Sequence, residues 1–187
     1  MTQRQIFDAD ARAIAYLDEG EGPAVVLIPG HGQDAGAFAT LTHILADEGF
    51  RVVGVEGRKD PVGLPEQAQD ILDLMDHIGL ADAWIGGHGA SGAIARTVAL
   101  GHADRTNGLL LLGATTDGDD VPLAAGLPVL IVHGTADEVT PLAHAEQLQA
   151  SAPDRATLVR IDGGGHLFPT THPGEAAFAI AEYLDWD

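Results

Sequence analysis

Among the runs of this chain that are apolar at every position, three are built almost wholly of Val, Leu and Ile: Ala24-Val25-Val26-Leu27-Ile28, Leu109-Leu110-Leu111-Leu112 and Val129-Leu130-Ile131-Val132. A strand with one wet face alternates apolar and polar residues. An unbroken apolar run marks a strand buried on both faces, as in a parallel sheet covered by helices above and below. The intervening stretches fit that requirement. Arg51-Val52-Val53-Gly54-Val55, Ala83-Trp84-Ile85-Gly86 and Ala156 to Ile161 read as further strands, and Ile14-Ala15-Tyr16-Leu17 as one that ends in the turn Asp18-Glu19-Gly20-Glu21-Gly22-Pro23. Helices are expected over Ala35 to Glu48, over Gln67 to Ile78 with Ile71, Leu72, Met75 and Ile78 on one face, through Ile94, Val98 and Leu100, over Leu142 to Gln149, and near Glu175 to Leu184. This alternation predicts an α/β fold, a three-layer α/β/α sandwich around a mostly parallel sheet. No repeat or low-complexity stretch divides it, so one domain over residues 1–187 is expected.

The charge narrows the range of partners. Twenty-eight acidic residues stand against nine basic ones, a net charge of −19, and Lys59 is the only lysine. Such a field repels nucleic acid and anionic membranes, and neither is expected to bind. The acidic residues are scattered rather than gathered in a block, which describes a solvated surface and not an interaction tail. A surface adapted to high salt and an ordinary acidic surface both fit it. The absence of cysteine excludes disulfides, thiolate metal sites and a cysteine nucleophile. No apolar run approaches the ~20 residues of a membrane span. The opening Met1 to Asp8 has no charged-then-apolar signal pattern, so a cytoplasmic location is expected.

The segment Trp84-Ile85-Gly86-Gly87-His88-Gly89-Ala90-Ser91-Gly92-Ala93-Ile94-Ala95 lies where a strand should turn sharply into a helix. A nucleophile elbow of the form Gly-x-Ser-x-Gly holds its central residue in a strained turn, with small residues two before and two after. The pattern fits here in two registers. Gly87-His88-Gly89-Ala90-Ser91 has the flanking spacing and a glycine at its centre; Gly89-Ala90-Ser91-Gly92-Ala93 has a serine there. The second register needs the strand to continue through Gly86-Gly87-His88-Gly89, which is poor strand sequence.

Beyond the elbow, the chain resembles the α/β-hydrolase family nearly end to end. The resemblance rests on Ala15 to Gly30, which is similar to the first hairpin and oxyanion-loop strand with Pro29-Gly30 in place of His-Gly, and on the elbow. It rests equally on His133-Gly134-Thr135-Ala136-Asp137-Glu138-Val139-Thr140-Pro141, which looks like the acid loop, and on Gly163-Gly164-Gly165-His166-Leu167-Phe168-Pro169, which looks like the histidine loop. An ungapped match to the family's Gly-His-Ser-x-Gly-Gly-Ala-Ile-Ala pattern aligns Gly87, His88, Gly92, Ala93, Ile94 and Ala95, and puts Gly89 where the serine belongs. The resemblance implies His166 as general base and Asp137 as the acid that orients it. Oxyanion donors are then the backbone N–H of His31, beside Gly30, and that of Ala90 or, in the other register, Gly92. Ser91 is the only candidate for a covalent nucleophile in the elbow. Asp117 is an alternative acid, although Asp119 and Asp120 beside it suggest a solvated turn.

The segment between Gly113 and Pro128 is barely long enough for a crossover, so no cap domain is expected and the cleft should be open. Nine histidines invite a metal reading, in which His31, His88 and His166 converge; their places on three separate loops, without a His-x-x-x-His spacing, argue against it. No cofactor is expected, since Gly163-Gly164-Gly165 lacks the lysine and following helix of a phosphate loop. The resemblance thus implies a hydrolase of a carboxylic ester or related acyl bond, acting on a small-molecule acyl substrate and, with Gly89 at the centre of the elbow, silenced by the loss of its serine. The alternative is a lyase or ligand-binding protein that uses His166 and Asp137 with no covalent nucleophile.

Overall fold

The computed structural model describes residues 2–10, 12–118 and 120–185. Eight strands form one sheet: β1 (Gln5–Ala9), β2 (Arg12–Glu19), β3 (Ala24–Ile28), β4 (Arg51–Val55), β5 (Ala83–His88), β6 (Thr106–Leu112), β7 (Val129–Gly134) and β8 (Ala156–Ile161). Their order across the sheet is β1-β2-β4-β3-β5-β6-β7-β8. β1 and β2 pair antiparallel, β2 runs antiparallel to β4, and every later pairing is parallel. The helices are α1 (Ala39–Asp47), α2 (Leu64–His77), α3 (Gly92–Gly101), α4 (Leu142–Ser151), the single-turn α5 (Phe168–Thr171) and α6 (Pro173–Asp185).

The apolar runs divide their side chains between the two faces of the sheet, as a strand's two-residue period requires. Val26, Ile28, Leu109, Leu111, Val129 and Ile131 pack into a cluster with α2, α3 and α4. Val25, Leu27, Leu110, Leu112, Leu130 and Val132 pack into a second cluster with α1 and α6. A continuously apolar strand is therefore consistent with water on neither side. Each fully buried leucine or valine of these runs contributes about 1.5–3 kcal/mol through burial.

Several element boundaries differ from the sequence expectation. β1 was not expected; it joins β2 across a tight turn in which Asp10 adopts φ +46°. α1 starts at Ala39 rather than Ala35, because residues 35–38 form turns in which Asp34 Oδ1 accepts the Gly36 N–H at 2.9 Å. β5 continues beyond Gly86 to His88. Between β6 and β7 the described residues of 113–128 carry no helix or strand; Asp119 lies outside the described residues. No described helix is long and apolar enough to cross a membrane.

Candidate active site

Parallel strands place their following loops at one edge of the sheet, and there an open α/β sheet holds its ligands. Four such loops meet here. β3 and β5 are neighbours with Ile28 opposite Gly87, so the turn after β3 lies beside the elbow after β5; the loops after β7 and β8 follow across β6.

The elbow turns at position 89. His88 ends β5 in extended backbone, φ −98° and ψ 134°, and Gly89 follows at φ +58° before the chain enters a 3₁₀ turn and α3. The chain doubles back so closely that a β-carbon on Gly87 would stand 2.3 Å from the Ser91 carbonyl oxygen, which only glycine permits. A β-carbon on Gly89 would meet nothing within 4 Å except the imidazole of His166, with Nε2 at 3.3 Å and Cε1 at 3.5 Å. A side chain at position 89 would thus face the Nε2 side of the His166 ring, whereas one at Gly113 would lie on the Nδ1 side.

Ser91 sits elsewhere. Its backbone is helical, φ −69° and ψ −11°, and its buried hydroxyl donates to the Pro29 carbonyl at 2.7 Å. This corrects the serine-centred register: the left-handed turn falls two residues earlier, and the Ser91 hydroxyl ties the end of β3 to the start of α3. Ala90, next to Gly89, is exposed at the mouth of the elbow.

Asp137 and His166 are brought together. The Asp137 side chain is fully buried, and its Oδ1 accepts the backbone N–H groups of Val139 at 2.9 Å and Thr140 at 2.8 Å. Its Oδ2 accepts from His166 Nδ1 at 2.8 Å. With the proton on Nδ1, the neutral imidazole carries its lone pair on Nε2, the atom that faces Gly89. His133, buried at the end of β7, donates through Nε2 to the Thr140 carbonyl at 2.8 Å and so closes the acid loop over Asp137. Asp117, by contrast, is exposed and lies 3.7 Å from His144 Nε2, in no contact with His166.

The sequence did not show the supporting roles of two side chains, Gln33 and His88. Gln33 Oε1 accepts the Gly30 N–H at 2.8 Å, which engages that amide and shapes the turn after β3; the His31 amide donates to no described residue. His88 is buried, donates through Nε2 to the His166 carbonyl at 2.7 Å, and lies with its ring 4.6 Å from that of His166. Burial pushes its pKa down to about 4, the bond to the His166 carbonyl opposing the shift, so His88 is neutral near pH 7. Its Nδ1 has no partner among the described residues and points toward Gly30, where a β-carbon would stand 3.0 Å away. Among the described residues no group of three His, Cys, Asp or Glu side chains is placed to hold a metal ion, and His31 is exposed.

A family model described as Alpha/beta hydrolase family matches residues 24–170. The chain belongs to the alpha/beta hydrolase family. Its curated relatives include 2-hydroxy-6-oxo-6-phenylhexa-2,4-dienoate hydrolase of Comamonas testosteroni, 30% identical over 112 residues that cover 54% of this chain and 39% of the relative. Haloalkane dehalogenase 2 of Mycobacterium tuberculosis is 33% identical over 115 residues, 56% of this chain and 40% of the relative. The alignments thus take in about two-fifths of the length of these relatives. Among solved structures, a thermophilic esterase from Thermogutta terrifontis superimposes with a TM-score of 0.85 at 21% identity, covering 98% of each chain. The family's sheet and helices are therefore both present in this chain.

Proposed function

We propose that this chain hydrolyses a carboxylic ester or related acyl bond of a small molecule, with water rather than a protein side chain as the nucleophile. The observation that carries this reading is the 3.3 Å between His166 Nε2 and the point where a β-carbon would stand on Gly89, with Asp137 2.8 Å behind the ring. A water over Gly89 takes the region that a nucleophilic side chain would fill. As its oxygen bonds to the carbonyl carbon, its proton passes to His166 Nε2, and Asp137 stabilises the imidazolium. The backbone N–H groups of His31 and Ala90 receive the developing oxyanion. When the tetrahedral species collapses, His166 returns the proton to the leaving oxygen, releasing acid and alcohol and restoring the neutral imidazole. No acyl group is attached to the chain at any stage. General-base assistance of this kind accelerates by about 10²–10⁴-fold. Hydrolase relatives and an uncapped sheet edge among the described residues support the choice of reaction.

The test is pre-steady-state hydrolysis of 4-nitrophenyl acetate by the native chain and by His166→Ala, with intact mass after exposure to a fluorophosphonate. The expected result is slow, burst-free turnover that falls to the uncatalysed rate in His166→Ala, and no adduct on the native chain. Turnover equal in the two proteins overturns the proposal and leaves ligand binding as the role of the pocket.

A further inference from the structure

A second site lies on the same edge of the sheet, where the loop after β4 meets the β1–β2 hairpin. There a cavity of about 350 Å³ is lined by Arg4, Arg12, Arg58 and Lys59 together with Glu56, Asp60 and Asp70. Four of the nine cationic residues of the chain gather here, with only three of its twenty-eight acidic ones. Asp73, which pairs with Arg12 from α2, makes a fourth carboxylate beside these four cations, whereas the rest of the chain has five cations against twenty-four carboxylates. An anion is repelled by the rest of this surface and drawn to this one place.

Carboxylates beneath the cavity hold two of its arginines in place. Asp70, with a side chain only 8% exposed, accepts from Arg12 Nη1 and from both Nε and Nη2 of Arg58; Arg12 Nη1 and Arg58 Nη2 meet on the same oxygen, Oδ1. Asp73 Oδ2 takes Arg12 Nη2 at 2.6 Å. These carboxylates hold two guanidinium groups together at the cavity wall. Arg58 Nη1 donates to no described residue, and neither does Nη1 of Arg4, whose Nε and Nη2 engage Glu56 Oε2 at 3.1 and 3.0 Å. Lys59 makes no ion pair among the described residues. A staple between β2 and α2 needs Arg12, Arg58, Asp70 and Asp73; it does not need Arg4 or Lys59. Two free Nη1 groups and an ammonium around one cavity are the donor set that a multidentate oxyanion takes.

We infer that this cavity binds a small oxyanion, a phosphate or a carboxylate, at a site separate from the Asp137–His166 pair. The experiment is calorimetric titration of the whole chain with inorganic phosphate and, separately, with succinate, at ionic strength held constant with KCl. Saturable binding of phosphate alone identifies a phosphate site, and of succinate alone a carboxylate site; either supports the inference. The double variant Arg4→Gln/Lys59→Gln removes two exposed side chains that make no bond to Asp70, so its melting temperature should match the native chain. Its affinity for the bound anion should fall at least tenfold, while His166→Ala binds within twofold of the native chain. Absence of saturable binding above chloride, or equal affinity in the double variant, overturns it. Because His166→Ala abolishes the proposed hydrolysis and not this binding, the two readings fail independently.

Discussion

Replacing Gly89 by serine is the sharpest perturbation available, because position 89 is where the fold directs a side chain at His166. The backbone there has φ +58°, which costs an L-residue about 1–2 kcal/mol relative to glycine. The new β-carbon would stand 3.3 Å from His166 Nε2, so the ring must give by a few tenths of an ångström. The His166 side chain is 21% exposed at the site mouth and can yield. Gly89→Ser should therefore destabilise by about 1–2 kcal/mol, which for a chain of 187 residues lowers Tm by roughly 2–8 °C. In return a hydroxyl is fixed within reach of a base already oriented by Asp137. A positioned nucleophile replaces a diffusing water, a gain on the order of 10²-fold or more. The assay is 4-nitrophenyl acetate turnover followed from the first milliseconds, with mass analysis after fluorophosphonate. The expected outcome is a burst of about one equivalent, faster turnover, and one adduct at position 89 that disappears in Gly89→Ser/His166→Ala. A folded Gly89→Ser with no burst and no adduct would refute the placement of His166 over position 89.

Three further outcomes follow from the same geometry. Ser91→Ala removes the bond to the Pro29 carbonyl and should cost about 1 kcal/mol in thermal unfolding while leaving ester turnover unchanged; a folded variant without activity would return Ser91 to the chemistry. Asp137→Asn puts an amide against His166 Nδ1, so the imidazole is no longer held with its lone pair toward Gly89, and turnover should drop on the order of 10²–10⁴-fold, measured as kcat at pH 7. His88 has a folded pKa of about 4 against an ordinary 6.5, so unfolding takes up a proton between those values. Its contribution is complete above about pH 6.5 and is lost as pH falls toward 4, at most about 3 kcal/mol. His88→Gln keeps a donor for the His166 carbonyl without that titration, so its stability should fall less steeply than the native chain's over that interval; parallel curves would show that His88 does not titrate so.

The layers of the fold were legible in Leu109–Leu112 and Val129–Val132 because a fully apolar strand admits only one kind of surrounding. β1 was not legible, because it is a half-exposed edge strand whose place depends on the turn at Asp10 and on Phe7 stacking on His77 at 4.1 Å, contacts between residues far apart in sequence. The end of β5 was misjudged for a related reason. Gly86 and Gly87 weaken a strand by local rules, yet here a β-carbon on Gly87 would strike the returning chain at Ser91, a requirement that only the folded elbow reveals. The ungapped elbow pattern already favoured Gly89 over Ser91, and the left-handed backbone falls at Gly89 and not at Ser91.

The roles of Gln33 and His88 show what a motif leaves out. His88 was visible as an ordinary member of the elbow pattern, but its bond to the His166 carbonyl joins loops 78 residues apart. The groups that hold the Asp137–His166 pair are the Val139 and Thr140 amides and the His133 and His88 imidazoles, and none of these bonds involves Gly89. The dyad's geometry is therefore independent of the nucleophile. A glycine at 89 removes no support from it, and relieves the strain that any L-residue would bear at φ +58°. On the proposed reading, this lets an oriented imidazole persist in a chain that has no hydroxyl before it, and lets position 89 and His166 be tested one at a time.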